Sequence, residues 1–110
     1  MHLLNEREIE SYRKLFAKTD LDFTSALKVL SDINRYRIFL LIMSPSSRLS
    51  ITSIAKILDI SVPLTSQHLR IMVHAKILQK EREGKKIYPR LERHNPFVKL
   101  MFIALKQRPL

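Results

Sequence analysis

A chain of 110 residues is sized for one domain with its own core and little room for a second. Twenty lysines and arginines stand against ten acidic residues, a net charge of +10 with a pI near 10.3, which points to a polyanionic partner, nucleic acid ahead of a membrane surface. The absence of cysteine excludes disulfides, thiolate metal sites and a thiol redox switch, and the longest apolar run, Ile38 to Met43, falls far short of the roughly 20 residues needed to span a bilayer.

The opening MHLLNEREIE has acidic residues and no basic-then-apolar order, so it does not read as a secretory signal, and a cytoplasmic, nucleoid-associated protein without a membrane partner is expected. Asn5 to Lys18 reads as a helix with Ile9, Tyr12, Leu15 and Phe16 on one side. Asn5 is placed to cap it, and Glu6 and Glu8 complement the dipole in its first turn. Thr19-Asp20-Leu21-Asp22 reads as a break, and a second helix over Phe23 to Leu30 presents Phe23, Ala26, Leu27 and Leu30. Ser31-Asp32 is the next capping signal, and Ile33 to Met43 forms a central core helix with Tyr36, Phe39, Leu40 and Met43 inward and Arg35 and Arg37 available to solvent or a phosphate. Ser44-Pro45-Ser46-Ser47 is a loop, and Arg48 to Ile51 a short extended lead into the next element.

Ile51 to His74 organises the rest. Ile54, Ile57 and Leu58 share one side of a short helix that Thr52 is placed to cap. Asp59-Ile60-Ser61 interrupts it, with Ile60 in the elbow, Ser61 capping the following helix and Pro63 in its first turn, where a missing N–H costs nothing. Thr65, Leu69 and Met72 then point inward, and Gln67, Arg70 and His74 lie roughly opposite, flanked by Leu64, Ser66 and Ile71. A helix that is apolar within and carries Ser, Gln and Arg outside suits the major groove of DNA; an ordinary surface helical hairpin would show the same pattern.

After His74 the grammar changes. Ile77 to Arg82 and Lys86 to Leu91 read as strands joined at Glu83-Gly84-Lys85, with Ile87 and Leu91 on one face and Tyr88 on the other. The only glycine, Gly84, belongs where φ must be positive, and Pro89 requires a free edge. The hairpin carries Lys80, Arg82, Lys85, Lys86 and Arg90 against Glu81 and Glu83. A basic wing along the phosphate backbone and a solvated hairpin whose lysines blunt an edge both fit. Asn95 caps and Pro96 begins a last helix to about Lys106, with Phe97, Leu100, Met101, Ala104 and Leu105 apolar.

Helices, helix-turn-helix, then a basic hairpin is the winged-helix order, a mostly α (α+β) fold. Over about Ala26 to Leu91 the sequence resembles the ArsR family of bacterial and archaeal repressors, through ALKVLSDINRYRIFLLI, SIAKILDISVPLTSQHLRIM and ILQKEREGKKIYPRL in that order and separation. The resemblance implies one winged helix DNA-binding domain over 1–110, with the helix-turn-helix at about 52–75 and the wing at about 77–91. Helices at about 5–18 and 95–106 would pair two copies through Ile9, Tyr12, Phe16, Phe97, Leu100, Met101, Ala104 and Leu105. It carries groove-reading roles onto Ser61, Val62, Leu64, Ser66, Gln67 and Arg70, while the basic-wing reading of the hairpin assigns phosphate contacts to Lys80, Arg82, Lys85, Lys86 and Arg90. His68 matches a position that is usually histidine there and is read as mainly structural.

Two departures stand out. Thiolate-using metal sensors of the family carry Cys-Val-Cys where this chain has Ser50-Ile51-Thr52, which supply no soft ligands. The last helix offers His94 and then apolar, Lys and Arg side chains, while His68 and His74 lie roughly 240° apart around a helix. No metal and no cofactor are expected; any small-molecule effector is unknown. Val62 stands where the family commonly has glutamine, which with Leu64 favours contact with thymine methyls over bidentate readout. The expectation is a homodimeric, sequence-specific DNA-binding transcriptional regulator acting as a repressor by promoter occlusion. The alternatives are a basic architectural DNA-binding protein of a virus or mobile element, and a protein-interaction module on the same fold. An enzyme is not expected: one glycine makes no phosphate loop, and Ser46, Ser47 and Ser50 have no nearby His and carboxylate.

Overall fold

The computed structural model describes residues 3–44 and 48–107, residues 17–19 through their backbone only. The elements run α1 (Glu6–Leu30), α2 (Ile33–Met43), α3 (Ile51–Leu58), α4 (Val62–His74), β1 (Leu78–Glu83), β2 (Lys86–Leu91) and α5 (Pro96–Lys106). Short polar side chains start the helices as expected. Asn5 Oδ1 accepts the Glu8 N–H at 2.8 Å, Asp32 Oδ1 those of Asn34 and Arg35, Ser61 Oγ that of Leu64, and Asn95 Oδ1 those of Phe97 and Val98.

The first helix corrects the expected break at Thr19 to Asp22: α1 is continuous for 25 residues. No proline or glycine lies within it, so nothing in the backbone forces a stop. The Thr24 hydroxyl turns back into the helix, donating to the Asp20 carbonyl at 2.7 Å, so this polar run is accommodated inside the ladder. At 1.5 Å per residue the helix is about 37 Å long, which helps explain the 60 × 30 × 22 Å outline.

Further along, Ser50 rather than Thr52 caps α3, its Oγ accepting the Ser53 N–H, and Ile51 is already helical instead of ending an extended piece. Ile57, expected inward, is 54% exposed, while Ile54 and Ala55 are buried. On α2 the fully buried pair is Ile38 and Phe39; Tyr36, Leu40 and Met43 are half-buried. The expected loop after Ser44 falls on residues 45–47, outside the described residues.

Both helices of the helix-turn-helix end in the same way. Ile60 N–H donates to Ala55 O and Asp59 N–H to Lys56 O; Ile77 N–H donates to Met72 O and Lys76 N–H to Val73 O. These paired bonds define Schellman caps. They place Asp59 (φ 55°) and Lys76 (φ 61°) in the left-handed region, where glycine is the usual occupant. At the second cap Ile77 and Met72 are both fully buried, the apolar contact that accompanies the motif.

The strands pair antiparallel from Leu78↔Leu91 to Glu83↔Lys86, leaving a two-residue loop of Gly84 and Lys85. Gly84 has φ +62° and Lys85 is not in the positive-φ region, the pattern of a type II′ turn. With that loop Glu83↔Lys86 is a hydrogen-bonded pair, so alternation makes Lys80↔Pro89 a non-hydrogen-bonded one and the missing N–H of Pro89 costs the ladder nothing.

The core gathers Ala26 and Leu30 of α1, Ile38 and Phe39 of α2, Ile54, Leu69, Met72, Ile77, Leu78 and Leu91, and Phe97 and Val98 of α5. Side chains buried this fully stabilise the fold by about 1.5–3 kcal/mol each. The core therefore fixes α4 and the base of the hairpin to one rigid body, which sets the angle between them.

Candidate nucleic-acid interface

One side of α4 belongs to the core: Thr65, Leu69 and Met72 are completely buried, as their spacing predicts. The Thr65 hydroxyl donates to the Ser61 carbonyl at 2.9 Å, so the buried oxygen is satisfied. The opposite side is open. Ser61, Val62, Leu64, Gln67 and Arg70 are exposed, together with Ile71 and His74, and Ser66 is half-buried on the flank. Ser61 has its oxygen committed to the cap and keeps its O–H free to donate. Gln67 and Arg70 are therefore the exposed groups on this face best able to form paired hydrogen bonds with base edges.

His68 is 7% exposed and its Nδ1 lies 3.2 Å from Arg35 Nη1. A guanidinium only donates, so Nδ1 is the acceptor in this contact. Arg35 Nε also donates to the Val29 carbonyl at 2.7 Å. Arg35 is thus a half-buried tie between the end of α1, the start of α2 and α4, which corrects its expected role at solvent or phosphate. The Asp32 carboxyl beside it is held below its ordinary value, chiefly by the backbone N–H of Arg35, with the Arg35 charge assisting against desolvation.

On the hairpin, strand alternation divides the charges. Leu78, Lys80 and Arg82 share a face with Ile87, Pro89 and Leu91; Gln79, Glu81 and Glu83 share the other with Lys86, Tyr88 and Arg90. Both carboxylates therefore lie on the second face. Arg90 Nη1 donates to Glu81 at 3.2 Å, so this expected phosphate contact is already shared with a carboxylate. Lys80, Arg82, Lys85 and Lys86 are exposed. Arg48, which the sequence reading left without a role, stacks its guanidinium 4.1 Å from the Tyr88 ring centre and pairs with both Glu81 and Glu83. Hydrogen bonding to Glu83 raises its pKa further above the usual arginine value.

The residues assigned to pairing divide as well. Phe97 is a correction: it is 4% exposed and packs edge-on against Phe23 at 5.9 Å within the same chain, so it serves the core. Tyr12, Phe16, Leu100 and Ala104 are exposed, and Ile9, Met101 and Leu105 half-buried. Leu15, Leu21 and Ile103 add to this uncovered apolar surface. Among the described residues no group of three or more His, Cys, Asp or Glu side chains could hold a metal, and no helix is long and apolar enough to cross a membrane.

A two-helix unit presenting an open polar helix beside a cationic hairpin defines a winged helix-turn-helix DNA-binding protein. Residues 32–80 match the model of the bacterial regulatory protein, arsR family. A cadmium resistance transcriptional regulatory protein CadC homolog of Staphylococcus aureus is 29% identical over 90 residues, covering 81% of this chain and 74% of its own. In structure the chain is similar to reduced HlyU of Vibrio cholerae, with a TM-score of 0.74 and 20% identity over 86% of this chain and 95% of that one. It is similar too to a homodimeric winged helix-turn-helix DNA-binding domain of Mycobacterium bovis, a possible ArsR-family transcriptional regulator, with a TM-score of 0.68 and 18% identity over 96% and 87%. Over those matched residues 32–80, which hold α2, the helix-turn-helix and the start of β1, the chain is similar to the ArsR family of winged helix-turn-helix transcriptional regulators.

Proposed function

We propose that this regulator is a homodimer that reads a two-fold DNA site and represses by occluding a promoter, with no metal ligands at the family's usual positions. The observation that carries the reading is the open face of α4, where Gln67 and Arg70 stand free while Thr65, Leu69 and Met72 hold the helix to the core. Base discrimination falls to Gln67, Arg70 and Ser66, with Ser61, Val62 and Leu64 at the leading end, where the apolar pair favours thymine methyls. Lys80, Arg82, Lys85 and Lys86 supply affinity through counterion release, and Arg90 contributes less because Glu81 shares its charge.

Pairing is supported by the uncovered Tyr12, Leu15 and Phe16 of α1 and Leu100 and Ile103 of α5, large apolar side chains exposed on the two helices assigned to it. Ile9, Met101, Ala104 and Leu105 extend that surface. Two copies related by a two-fold axis would present two α4 helices to successive major grooves. The whole chain from 1 to 110 then acts as one DNA-binding domain, working in the cytoplasm at the nucleoid, and nothing in this reading calls for catalysis.

The test is selection of bound sequences from a random duplex pool, then titration of the winner against scrambled DNA at near-physiological salt. A symmetric consensus held about a thousandfold or more above scramble is the expected result. Tight, salt-sensitive binding without enrichment would replace the reading with architectural DNA coating, and no binding would leave an interaction module.

A further inference from the structure

We infer that Arg48 is a positioning residue for the wing: it fixes the hairpin beside the start of α3 and, together with Arg90, offsets the charge of the hairpin's own carboxylates, so that the remaining wing cations meet DNA unopposed. The inference rests on the reading of the wing as a phosphate-binding element.

Glu81 and Glu83 are the only acidic residues between Leu78 and Leu91. Left free, each would repel the phosphates that Lys85 and Lys86 attract, because all four stand within a few residues of the hairpin tip. Arg48 answers both at once, Nη2 lying 3.5 Å from Glu81 and Nη1 donating to Glu83. Its planar fork allows two carboxylates to be bridged, and its flat face rests on Tyr88, which shares their side of the hairpin. Arg90 assists from the same side by donating to Glu81.

Position matters as much as charge. A two-stranded hairpin is marginal by itself, and this one is anchored by burial only at its base, through Leu78, Pro89 and Leu91. Arg48 lies two residues before Ser50, the cap of α3, and so ties the outer half of the hairpin to the helix-turn-helix. With its Nη groups committed to glutamates and its face to a ring, Arg48 is poorly disposed to act as a phosphate ligand itself.

The test uses the full chain with Arg48→Gln, with Glu81→Gln and Glu83→Gln together, and with all three changes. Each is titrated against a random-sequence duplex at two salt concentrations, and thermal unfolding reports whether the fold persists. Arg48→Gln should weaken binding about 3- to 10-fold, and the double glutamine variant should bind tighter than the parent. In the double-variant background Arg48→Gln should lose most of its effect. An equal loss in both backgrounds would mean that Arg48 contacts phosphate directly and would overturn the inference. A parent that binds DNA with Arg48→Gln unaffected would overturn it alone; a parent that binds no duplex would overturn the DNA-binding reading of the wing as well. Faster tryptic cleavage at Lys85 and Lys86 in Arg48→Gln, with thermal unfolding unchanged, would support the tethering role.

Discussion

Replacing Asp59 by glycine should stabilise the protein, although it deletes a side chain and adds no contact. Asp59 holds φ 55° in the turn between α3 and α4, where a Cβ crowds the following carbonyl. The left-handed conformation costs an ordinary L-residue about 1–2 kcal/mol, and an aspartate falls toward the lower end. The exposed carboxylate also sits at the C-terminus of α3, where an anion opposes the helix dipole by about 0.3–1 kcal/mol. Against these stands the greater freedom of glycine in the unfolded chain, about 0.5–1 kcal/mol. The net expectation is a gain of about 0.5–1 kcal/mol, a few degrees in Tm at about 4–8 °C per kcal/mol. Thermal and urea unfolding at fixed protein concentration would measure it. Asp59→Asn, which keeps the tolerance for positive φ and loses the charge, should fall between parent and glycine, and Asp59→Val should be the least stable of the four. A glycine variant no more stable than the valine variant would refute the reasoning, since relief of backbone crowding could not then govern this turn.

Asp32 gives a pH prediction. Its folded-state pKa lies below the ordinary 3.8, so its stabilisation is fully present above that value and is lost as pH falls through the lowered one. Asp32→Ala should cost about 0.5–2 kcal/mol near neutral pH and flatten the acid limb of the stability curve, as read by urea unfolding from pH 2 to 7. Arg70→Ala should reduce discrimination between operator and scramble by about 1–3 kcal/mol, whereas Lys86→Ala should weaken both duplexes alike and lower the salt slope by about one. Equal effects of the two changes on both DNAs would sink that division of labour. Tyr12→Glu with Phe16→Glu should yield monomers in sedimentation and reduce operator affinity by about a hundredfold or more; an unchanged dimer would remove α1 from the interface.

The parts of the fold written in local periodicity were legible without coordinates. The bounds of α2 and β2 and the caps at Asn5, Asp32, Ser61 and Asn95 follow from residues within one helical turn or one strand alternation of the feature they specify. The inward set of Thr65, Leu69 and Met72 does too. What escaped was set by competition or by distance. The polar run from Thr19 to Asp22 resembles a stop signal, yet without proline or glycine the helix loses nothing by continuing. Phe97 has the apolar pattern of a pairing residue, and only its contact with Phe23, distant in sequence, shows that it belongs inside. Arg35 and Arg48 act through partners 33 and 35 residues away, and no spacing rule reaches so far. Glycine proved an incomplete guide to positive φ, because Asp59 and Lys76 adopt it as well. The open face of α4 was legible because its inner face was.

The unbroken α1 has a mechanical consequence. Its first half carries Tyr12 and Phe16 to the proposed pairing surface; its last turn holds Val29, whose carbonyl receives Arg35, which in turn holds His68 on α4. A rod without a proline or glycine hinge conveys a tilt along its whole length. Once two chains are joined, a ligand or partner that rotates one protomer against the other would shift the spacing between their two α4 helices without touching either. Such a molecule would act on this regulator as a lever acts on a pair of calipers, altering the gap that DNA must match.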